Sequence, residues 1–199
     1  MTRQTQAPLD HLSLNATNRR ARELARMVDD GYIDLNPPYQ RGSVWSEDQR
    51  VALVRSWKSG VPIPAVIMND RATHMWREAN NGEDVRAMSA VYVIVDGKQR
   101  IECAMAWFAG EFAVPVSWFE ADEVESTIDT ADGPYVTYAG LNRTGRLHFD
   151  SDATIPVVEG KLPTVQAEAE VYLLVNGGGT PQTAADMAKA SRIADTEES

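Results

Sequence analysis

The stretch 96–100, Asp-Gly-Lys-Gln-Arg, carries the residue types and the spacing that best suit chemistry in this sequence. It follows the uninterrupted apolar run 91–95, which is typical of a strand buried on both faces. Gly97 permits a sharp turn, and apolar residues then recur at helical spacing as far as Gly110, where a glycine ends the helix. The pattern therefore predicts a strand, a tight turn and the first turn of a helix.

The predicted turn brings together groups that favour an anion. Free N–H groups at a helix start, the positive end of the helix dipole, and the side chains of Lys98 and Arg100 would meet at one place, which suits a phosphate. Asp96, at the strand end, can hold Mg²⁺, orient Arg100 or act as a base. The local pattern also leaves open a plain Asp-Gly turn whose cations are solvated.

Composition limits the class of protein. The chain has 199 residues, a hydrophobic fraction of 43% and a single cysteine, which is typical of one globular domain. No apolar run approaches the length of about 20 residues that a membrane span needs, and the N-terminus does not resemble a signal peptide. We therefore expect a cytoplasmic protein with no membrane partner. Cys103 cannot form an internal disulfide, and we interpret it as a core residue.

The net charge of −10 argues against a dedicated duplex-DNA binder, which usually has a basic surface. DNA contact would need a local patch or a partner. The N-terminal end is such a locally basic region, with Arg3, Arg19, Arg20, Arg22 and Arg26. We interpret these arginines as a solvated helix face, with a nucleic-acid contact strip as the alternative.

Hydrophobic periodicity predicts an α+β domain over 17–190, between a mobile leader (1–16) and a disordered acidic tail (191–199). The polar segment 69–90 is predicted to be a flexible excursion between two strands that pair. The predicted helices are 18–28, 47–59 (with a capping box at Ser46 and Gln49), 98–109, a helix from 165 to the glycines 177–179, and 181–190. The predicted strands are 32–35, 65–68, 91–95, an edge strand at 112–119, and short strands at 135–138 and 147–149.

Several common catalytic motifs are absent from the sequence. It contains no Walker A loop, no G-x-G-x-x-G after a strand and no Gly-x-Ser-x-Gly elbow. The scattered positions of His11, His74 and His148 argue against a histidine-based metal nuclease.

Four short motifs occur in an order that is characteristic of one family. They are Pro-Pro-Tyr-Gln-Arg-Gly at 37–42 with Val-Trp at 44–45, Pro-Ile-Pro at 62–64, Val-Asp-Gly-Lys-Gln-Arg at 95–100, and the glycine-rich segment 172–180. Together they resemble the N-terminal domain of GmrSD-type restriction systems. That family is a branch of the ParB/sulfiredoxin-like superfamily and is often labelled ParB-like nuclease.

The resemblance implies a compact α+β fold with a small mixed sheet flanked by helices, in which the Asp-Gly-x-Gln-Arg turn and a Gln-Arg loop handle a nucleoside triphosphate. It implies a catalytic role for Asp96, Gln99 and Arg100. Asp96 would position Mg²⁺ or the attacking water. The residues implied in nucleotide or phosphate binding are Gln40, Arg41, Gly97, Lys98, Asn176 and Gly178. We interpret Tyr39 and Trp45 as core or loop anchors, with contact to a base as the alternative.

The sequence departs from the family pattern in two ways. Lys98 stands where the family usually has glutamine, and its charge suits phosphate binding but can change nucleotide preference. Full-length relatives carry a separate histidine-dependent nuclease domain, which nothing here resembles. The resemblance therefore implies a stand-alone version of the kind common among phage-encoded proteins.

Three functional hypotheses follow. The first is a protein that binds and hydrolyses a nucleoside triphosphate in DNA metabolism or phage–host conflict. The second is a metal-dependent DNA endonuclease of the ParB-like kind, which the acidic balance disfavours. The third is a non-enzymatic regulator or inhibitor that binds another protein.

Overall fold

The computed structural model describes residues 11–40, 42, 45–82, 90–177 and 192–193. Within them, a five-stranded mixed sheet and a three-stranded antiparallel sheet are accompanied by six α-helices. This confirms the predicted α+β class with a small mixed sheet flanked by helices. The predicted helix 181–190 and most of the predicted acidic tail lie outside the described residues, and the domain limits 17–190 stay a prediction.

The bounds of the elements are as follows. The helices are α1 (Ala21–Asp29), α2 (Glu47–Lys58), α3 (His74–Ala79), α4 (Lys98–Ala109), α5 (Arg143–Asp152) and α6 (Val165–Asn176). The strands are β1 (Asn15–Arg20), β2 (Ile33–Asp34), β3 (Val66–Asp70), β4 (Tyr92–Asp96), β5 (Val114–Pro115), β6 (Ile128–Thr130), β7 (Gly133–Val136) and β8 (Thr154–Gly160). None of the helices in the described part of the chain is long and apolar enough to cross a membrane.

The larger sheet has the order β1-β8-β3-β4-β2. Strand β4 is parallel to β2 and antiparallel to β3, while β8 is parallel to β3 and antiparallel to β1. The smaller sheet has the order β5-β7-β6. Strand β4 therefore lies between β3 and β2.

Strand β4 is buried on both faces, as its apolar run predicts. Ile94 belongs to the larger apolar cluster, which includes residues of α1, α2 and α4. Val93 and Val95 point to the opposite face and belong to a smaller cluster with Ala169 and Tyr172 of α6. The carboxyl end of β4 therefore lies where helices from both sides of the sheet converge.

The ends of α2 and α4 follow from local sequence. Ser46 and Gln49 form the predicted capping box, in which the Ser46 N–H donates to Gln49 Oε1 at 2.9 Å and the Gln49 N–H donates to Ser46 Oγ. Helix α4 begins after Gly97 and ends before Gly110, and both glycines are left-handed, with φ of 97° and 76°.

The N-terminal segment differs from the prediction. Residues 15–20 form strand β1, so the sheet begins inside the predicted leader, and α1 begins at Ala21 instead of at Asn18. The strand is polar and almost wholly exposed, so it shows no apolar alternation. Its hydrogen bonds go to β8, a partner that local sequence cannot indicate.

The region 112–160 holds further corrections. The predicted strand 147–149 lies within α5, whose start is capped by Asn142, which accepts from the Gly145 N–H at 3.0 Å. The predicted edge strand 112–119 is reduced to β5, because residues 116–118 form a 3₁₀ turn. The predicted strand 135–138 is β7, which ends at residue 136. Strand β8 was not predicted.

The predicted excursion 69–90 does connect two strands that pair, since Asn69 lies opposite Val93. Part of it is ordered as α3, which Thr73 caps by accepting from the Trp76 N–H at 3.2 Å. The Trp76 side chain is buried, so this half of the excursion is packed onto the domain and is not the flexible loop predicted.

Candidate functional site

A cleft of about 160 Å³ opens at the carboxyl end of β4. Three elements form it: the turn into α4, the loop before α2, and the end of α6. Every predicted site residue that the structure describes lines this cleft, and Arg41 and Gly178 lie outside the described residues. The lining residues are Gln40, Trp45, Asp96, Gly97, Lys98, Gln99, Arg100, Tyr172 and Asn176.

Gly97 is required by the path of the backbone at the turn. Its φ of 97° disfavours any residue with a Cβ. A Cβ added there would lie 2.6 Å from Val66 Cγ2 and 2.9 Å from Arg100 Nη2. The glycine therefore allows strand β3 and the Arg100 guanidinium to approach the turn closely.

Asp96 and Arg100 form an ion pair across the first turn of α4. Arg100 Nη2 lies 2.9 Å from Asp96 Oδ2 and also donates to the Ala65 carbonyl at 3.0 Å. The Asn176 amide lies 3.5 Å from Asp96 Oδ1 and donates to the Tyr172 carbonyl at 2.9 Å. Arg100 Nε is buried and donates to no partner among the described residues. The Nε–H of the guanidinium is thus a donor that no described residue uses.

The two glutamines of the predicted site fasten the neighbouring loop. Gln40 Nε2 donates to the carbonyls of Ile94 and Val95, the latter at 3.0 Å. Gln99 Oε1 accepts from the Trp45 N–H at 3.0 Å. The loop before α2 is therefore bonded both to the end of β4 and to the start of α4.

Lys98 and Arg100 are not the solvated cations of the alternative interpretation. The Lys98 side chain is only 9% exposed, and its Nζ lies 2.6 Å from Asn36 Oδ1 and 3.7 Å from Glu102 Oε1. The Arg100 side chain is 14% exposed. Lys98 has its ammonium bound to protein oxygens, whereas Arg100 faces the cleft through the Asp96 pair.

The charge of the cleft is opposite in sign to that of the whole chain. The described residues of its lining carry two cations and one carboxylate, in a protein of net charge −10. The first turn of α4 adds the partial positive charge of the helix N-terminus. Such a site favours an anion, and phosphate is the anion that helix starts and arginine bind most readily.

Comparison with protein families identifies the kind of domain. The family model described as "GmrSD restriction endonuclease, N-terminal domain" matches residues 22–193. The chain belongs to this family. No curated protein and no solved structure matches the chain. The resemblance drawn from the four motifs is thereby confirmed, and the match spans every residue of the cleft. Membership supports a role in DNA metabolism or phage defence.

Sequence reasoning missed a buried polar cluster beside the cleft of this GmrSD N-terminal domain. Glu168 of α6 is fully buried and contacts Tyr39, Asn69 and Arg71. Glu168 lies within the predicted helix that begins at 165, where no functional role was predicted for it. A carboxylate within an apolar stripe, spaced by four and eight residues from Tyr172 and Asn176, is the signal that indicates it.

Other candidate residues are buried or paired in ways that indicate a structural role. Cys103 is buried, and burial raises the pKa of its thiol to about 12, so it is the core residue predicted. Tyr39 is buried and anchors its loop, which fits the predicted anchoring role. Of the basic strip, Arg19 is paired with Glu159 and Arg22 with Asp150.

The described residues contain no cluster of three or more histidine, cysteine, aspartate or glutamate side chains that could hold a metal ion. Among the residues that the structure describes, Asp96 is the one carboxylate that lines the cleft. Mg²⁺ in phosphate sites is often bound by one or two carboxylates together with phosphate oxygens and water. The donor set therefore fits an ion that arrives with a phosphate ligand.

Proposed function

We propose that the cleft binds the phosphate groups of a nucleoside triphosphate and hydrolyses it, in a restriction-related process of DNA metabolism or phage–host conflict. The observation that carries the proposal is the Asp96–Arg100 pair at the start of α4, in a cleft whose lining carries more positive than negative charge. Family membership supports the biological setting.

The chemistry would be divided among the lining residues. The N–H groups of the first turn of α4 and the Arg100 guanidinium would bind phosphate oxygens, because both are preformed donors at the same end of the cleft. The Asn176 amide would add a neutral donor beside them. Gln40 and Gln99 would keep the loop before α2 in place. Gln99, which lies in the first turn of α4, would also contact an attacking water.

Asp96 would hold Mg²⁺ with the phosphates. When bound, Mg²⁺ would neutralise charge on the phosphate oxygens. Arg100 and Asn176 orient Asp96, so Mg²⁺ would share the carboxylate with these two donors.

The size of the cleft indicates which part of the ligand it would enclose. At about 160 Å³ it is smaller than the roughly 300–1,000 Å³ of typical ligand pockets. It can enclose phosphates, whereas the sugar and base would extend from it. We therefore expect modest discrimination between bases from the described part of the site.

Calorimetric titration of the protein with ATP, GTP, CTP and UTP, each with and without Mg²⁺, tests the proposal. We expect micromolar binding of at least one nucleotide, and loss of binding in both Asp96→Asn and Arg100→Gln. Arg22→Gln is the matched control, because it breaks an ion pair of 2.5 Å to Asp150 that lies outside the cleft lining. Phosphate release measured on the same variants tests hydrolysis.

Failure of all four nucleotides to bind would overturn the proposal. Nicking of plasmid DNA with Mg²⁺ or Mn²⁺ that disappears in Asp96→Asn would favour the endonuclease. A stoichiometric complex with one host protein, unchanged by Asp96→Asn, would favour the protein-binding regulator.

A further inference from the structure

The Glu168 carboxylate is fully buried and accepts four hydrogen bonds. Arg71 donates to both oxygens, Nε to Oε1 at 2.8 Å and Nη2 to Oε2 at 2.6 Å. Asn69 Nδ2 donates to Oε1 at 2.8 Å, and the Tyr39 hydroxyl donates to Oε2 at 3.2 Å. Burial raises the pKa of Tyr39, so its hydroxyl stays protonated and remains a donor. We call these four residues the Glu168 cluster.

A buried ion pair of this kind is an inefficient way to stabilise a fold. The desolvation of both charges offsets much of their attraction, and apolar residues of the same volume often stabilise as well. What such a cluster does provide is a fixed geometry, because charge-assisted hydrogen bonds are directional. The question is which elements it fixes.

The Glu168 cluster joins β3 to two of the elements that form the cleft, the loop before α2 and helix α6. Asn69 belongs to β3, and Arg71 directly follows this strand. Glu168 lies on α6, four residues before Tyr172 and eight before Asn176, so all three share one face of the helix. The Tyr39 ring contacts the Tyr172 ring, with centroids 5.6 Å apart.

Tyr39 connects this cluster directly to the cleft. It precedes Gln40, whose amide donates to the last carbonyls of β4, next to Asp96. A displacement of Tyr39 would therefore move Gln40, and a displacement of α6 would move Asn176. The positions of Gln40 and Asn176, which both line the cleft, therefore depend on the same buried carboxylate, that of Glu168.

We infer that Tyr39 is a positioning residue of the cleft, and that its hydroxyl acts through Glu168 to fix Gln40 and Asn176 relative to Asp96. The effect on a ligand rests on the proposed function. The effect on the geometry of Gln40 does not, so it can be tested separately.

The test compares Tyr39→Phe with Tyr138→Phe. Tyr138 is also buried, and its hydroxyl donates to Asp150 at 2.9 Å and accepts from Arg22 at 2.8 Å, outside the cleft lining. Both variants keep the aromatic ring and lose one hydroxyl bound to a carboxylate. We expect similar decreases in melting temperature for the two.

The first readout is the side-chain amide resonance of Gln40 in ¹⁵N-labelled protein. We expect it to shift and exchange faster with solvent in Tyr39→Phe and to stay unchanged in Tyr138→Phe. The second readout is the affinity for the nucleotide that the wild-type protein binds. We expect about a tenfold loss in Tyr39→Phe, the equivalent of one buried hydrogen bond, and less than about twofold in Tyr138→Phe.

An unchanged Gln40 resonance in Tyr39→Phe, or an equal change in both variants, overturns the inference. If the wild-type protein binds no nucleotide, the proposed function fails while the Gln40 resonance still decides the inference. Glu168→Gln gives a second variant of equal volume. It replaces one acceptor oxygen with a donor, and we expect the same change at Gln40, whereas no change there would also overturn the inference.

Discussion

Arg100 Nη2 lies between two acceptors, 2.9 Å from Asp96 Oδ2 and 3.0 Å from the Ala65 carbonyl. The guanidinium is therefore oriented before any ligand arrives. A ligand that uses the remaining donors of Arg100 need not order this side chain, which lowers the entropic cost of binding. These two acceptors also limit the reach of Arg100, because moving its guanidinium further into the cleft would break both hydrogen bonds.

Replacement of Gly97 by alanine tests the geometry of the turn. In Gly97→Ala the new Cβ would meet Val66 and require a left-handed alanine, so we expect a loss of about 3 kcal/mol or more in the free energy of unfolding. Gly110→Ala is the matched control, because φ is also positive there but no atom lies within 4 Å of the Cβ. We expect it to cost about 1–2 kcal/mol. Urea unfolding measures both, and equal losses would contradict the close packing at Gly97.

Asn176 and Asn80 form a second matched pair. Each lies at the end of a helix, and its amide donates to the carbonyl four residues earlier, at 2.9 Å for Asn176 and 2.8 Å for Asn80. Only Asn176 lines the cleft. We expect Asn176→Ala and Asn80→Ala to lower stability by about 1 kcal/mol each. Calorimetry should show weaker nucleotide binding for Asn176→Ala alone, and an equal affinity for the two variants would exclude Asn176 from the site.

Lys98→Gln removes the ammonium and keeps a polar side chain that can reach Asn36. The ammonium of Lys98 is bound to Asn36 and near Glu102, so we expect the substitution to weaken nucleotide binding less than Arg100→Gln does. The charge-assisted hydrogen bond to Asn36 would be lost, at about 1–2 kcal/mol of stability. Equal losses of affinity in the two variants would show that the Lys98 ammonium leaves Asn36 to bind phosphate.

Glu123 makes the stability of the region around α5 depend on pH. Burial alone would raise the pKa of its carboxyl, but His148 at 2.6 Å, the Glu120 N–H and the charge of Lys58 outweigh burial and keep the pKa below its usual value of 4.5. Because the folded-state pKa is the lower one, the stabilisation is complete above pH 4.5 and is lost as pH falls through the folded-state value.

We therefore expect Glu123→Gln to lower the melting temperature at pH 7 and to differ less from the wild-type protein as the pH is lowered below 4.5. Glu125→Gln is the control, since Glu125 is exposed and has no side-chain partner among the described residues. Its melting temperature should follow the wild-type curve at every pH. A constant difference between Glu123→Gln and the wild-type protein across pH 3–7 would contradict the shift.

The site could be predicted where its signals are local. The run 91–95 and the glycines at 97 and 110 specify a buried strand, a left-handed turn and a helix over consecutive residues. Only the order of the motifs indicated that the three elements of the cleft meet. The contacting residues are 54 to 80 positions apart, and contacts between such distant residues produce no periodic pattern in the sequence. The Glu168 cluster was missed because its donors, Tyr39, Asn69 and Arg71, are distant in sequence. A single carboxylate in a helix does not by itself indicate such partners.

Strands β1 and β8 and helix α5 could not be predicted for a different reason. Residues of β1 are polar, and Pro156 interrupts the pattern of β8, so the pairing of the two backbones is what orders β1. In α5, Gly145 disfavours a helix, yet a Cβ there would lie 2.5 Å from the Glu123 carbonyl. The close packing of α5 against the turn at Glu123 requires a glycine at 145, although glycine has a low helix propensity.

The position of β8 in the sheet has a consequence for synthesis of the chain. Strand β8 lies between β1 and β3, both of which leave the ribosome long before it. Until residue 160 has emerged, β1 has no partner in the sheet and β3 is paired along one side only. Helix α6, which carries Asn176, follows later still. Nascent or cleaved chains that stop short of residue 160 therefore expose the unpaired β1 segment and one open edge of β3, the feature through which partly made β-sheet proteins associate with one another.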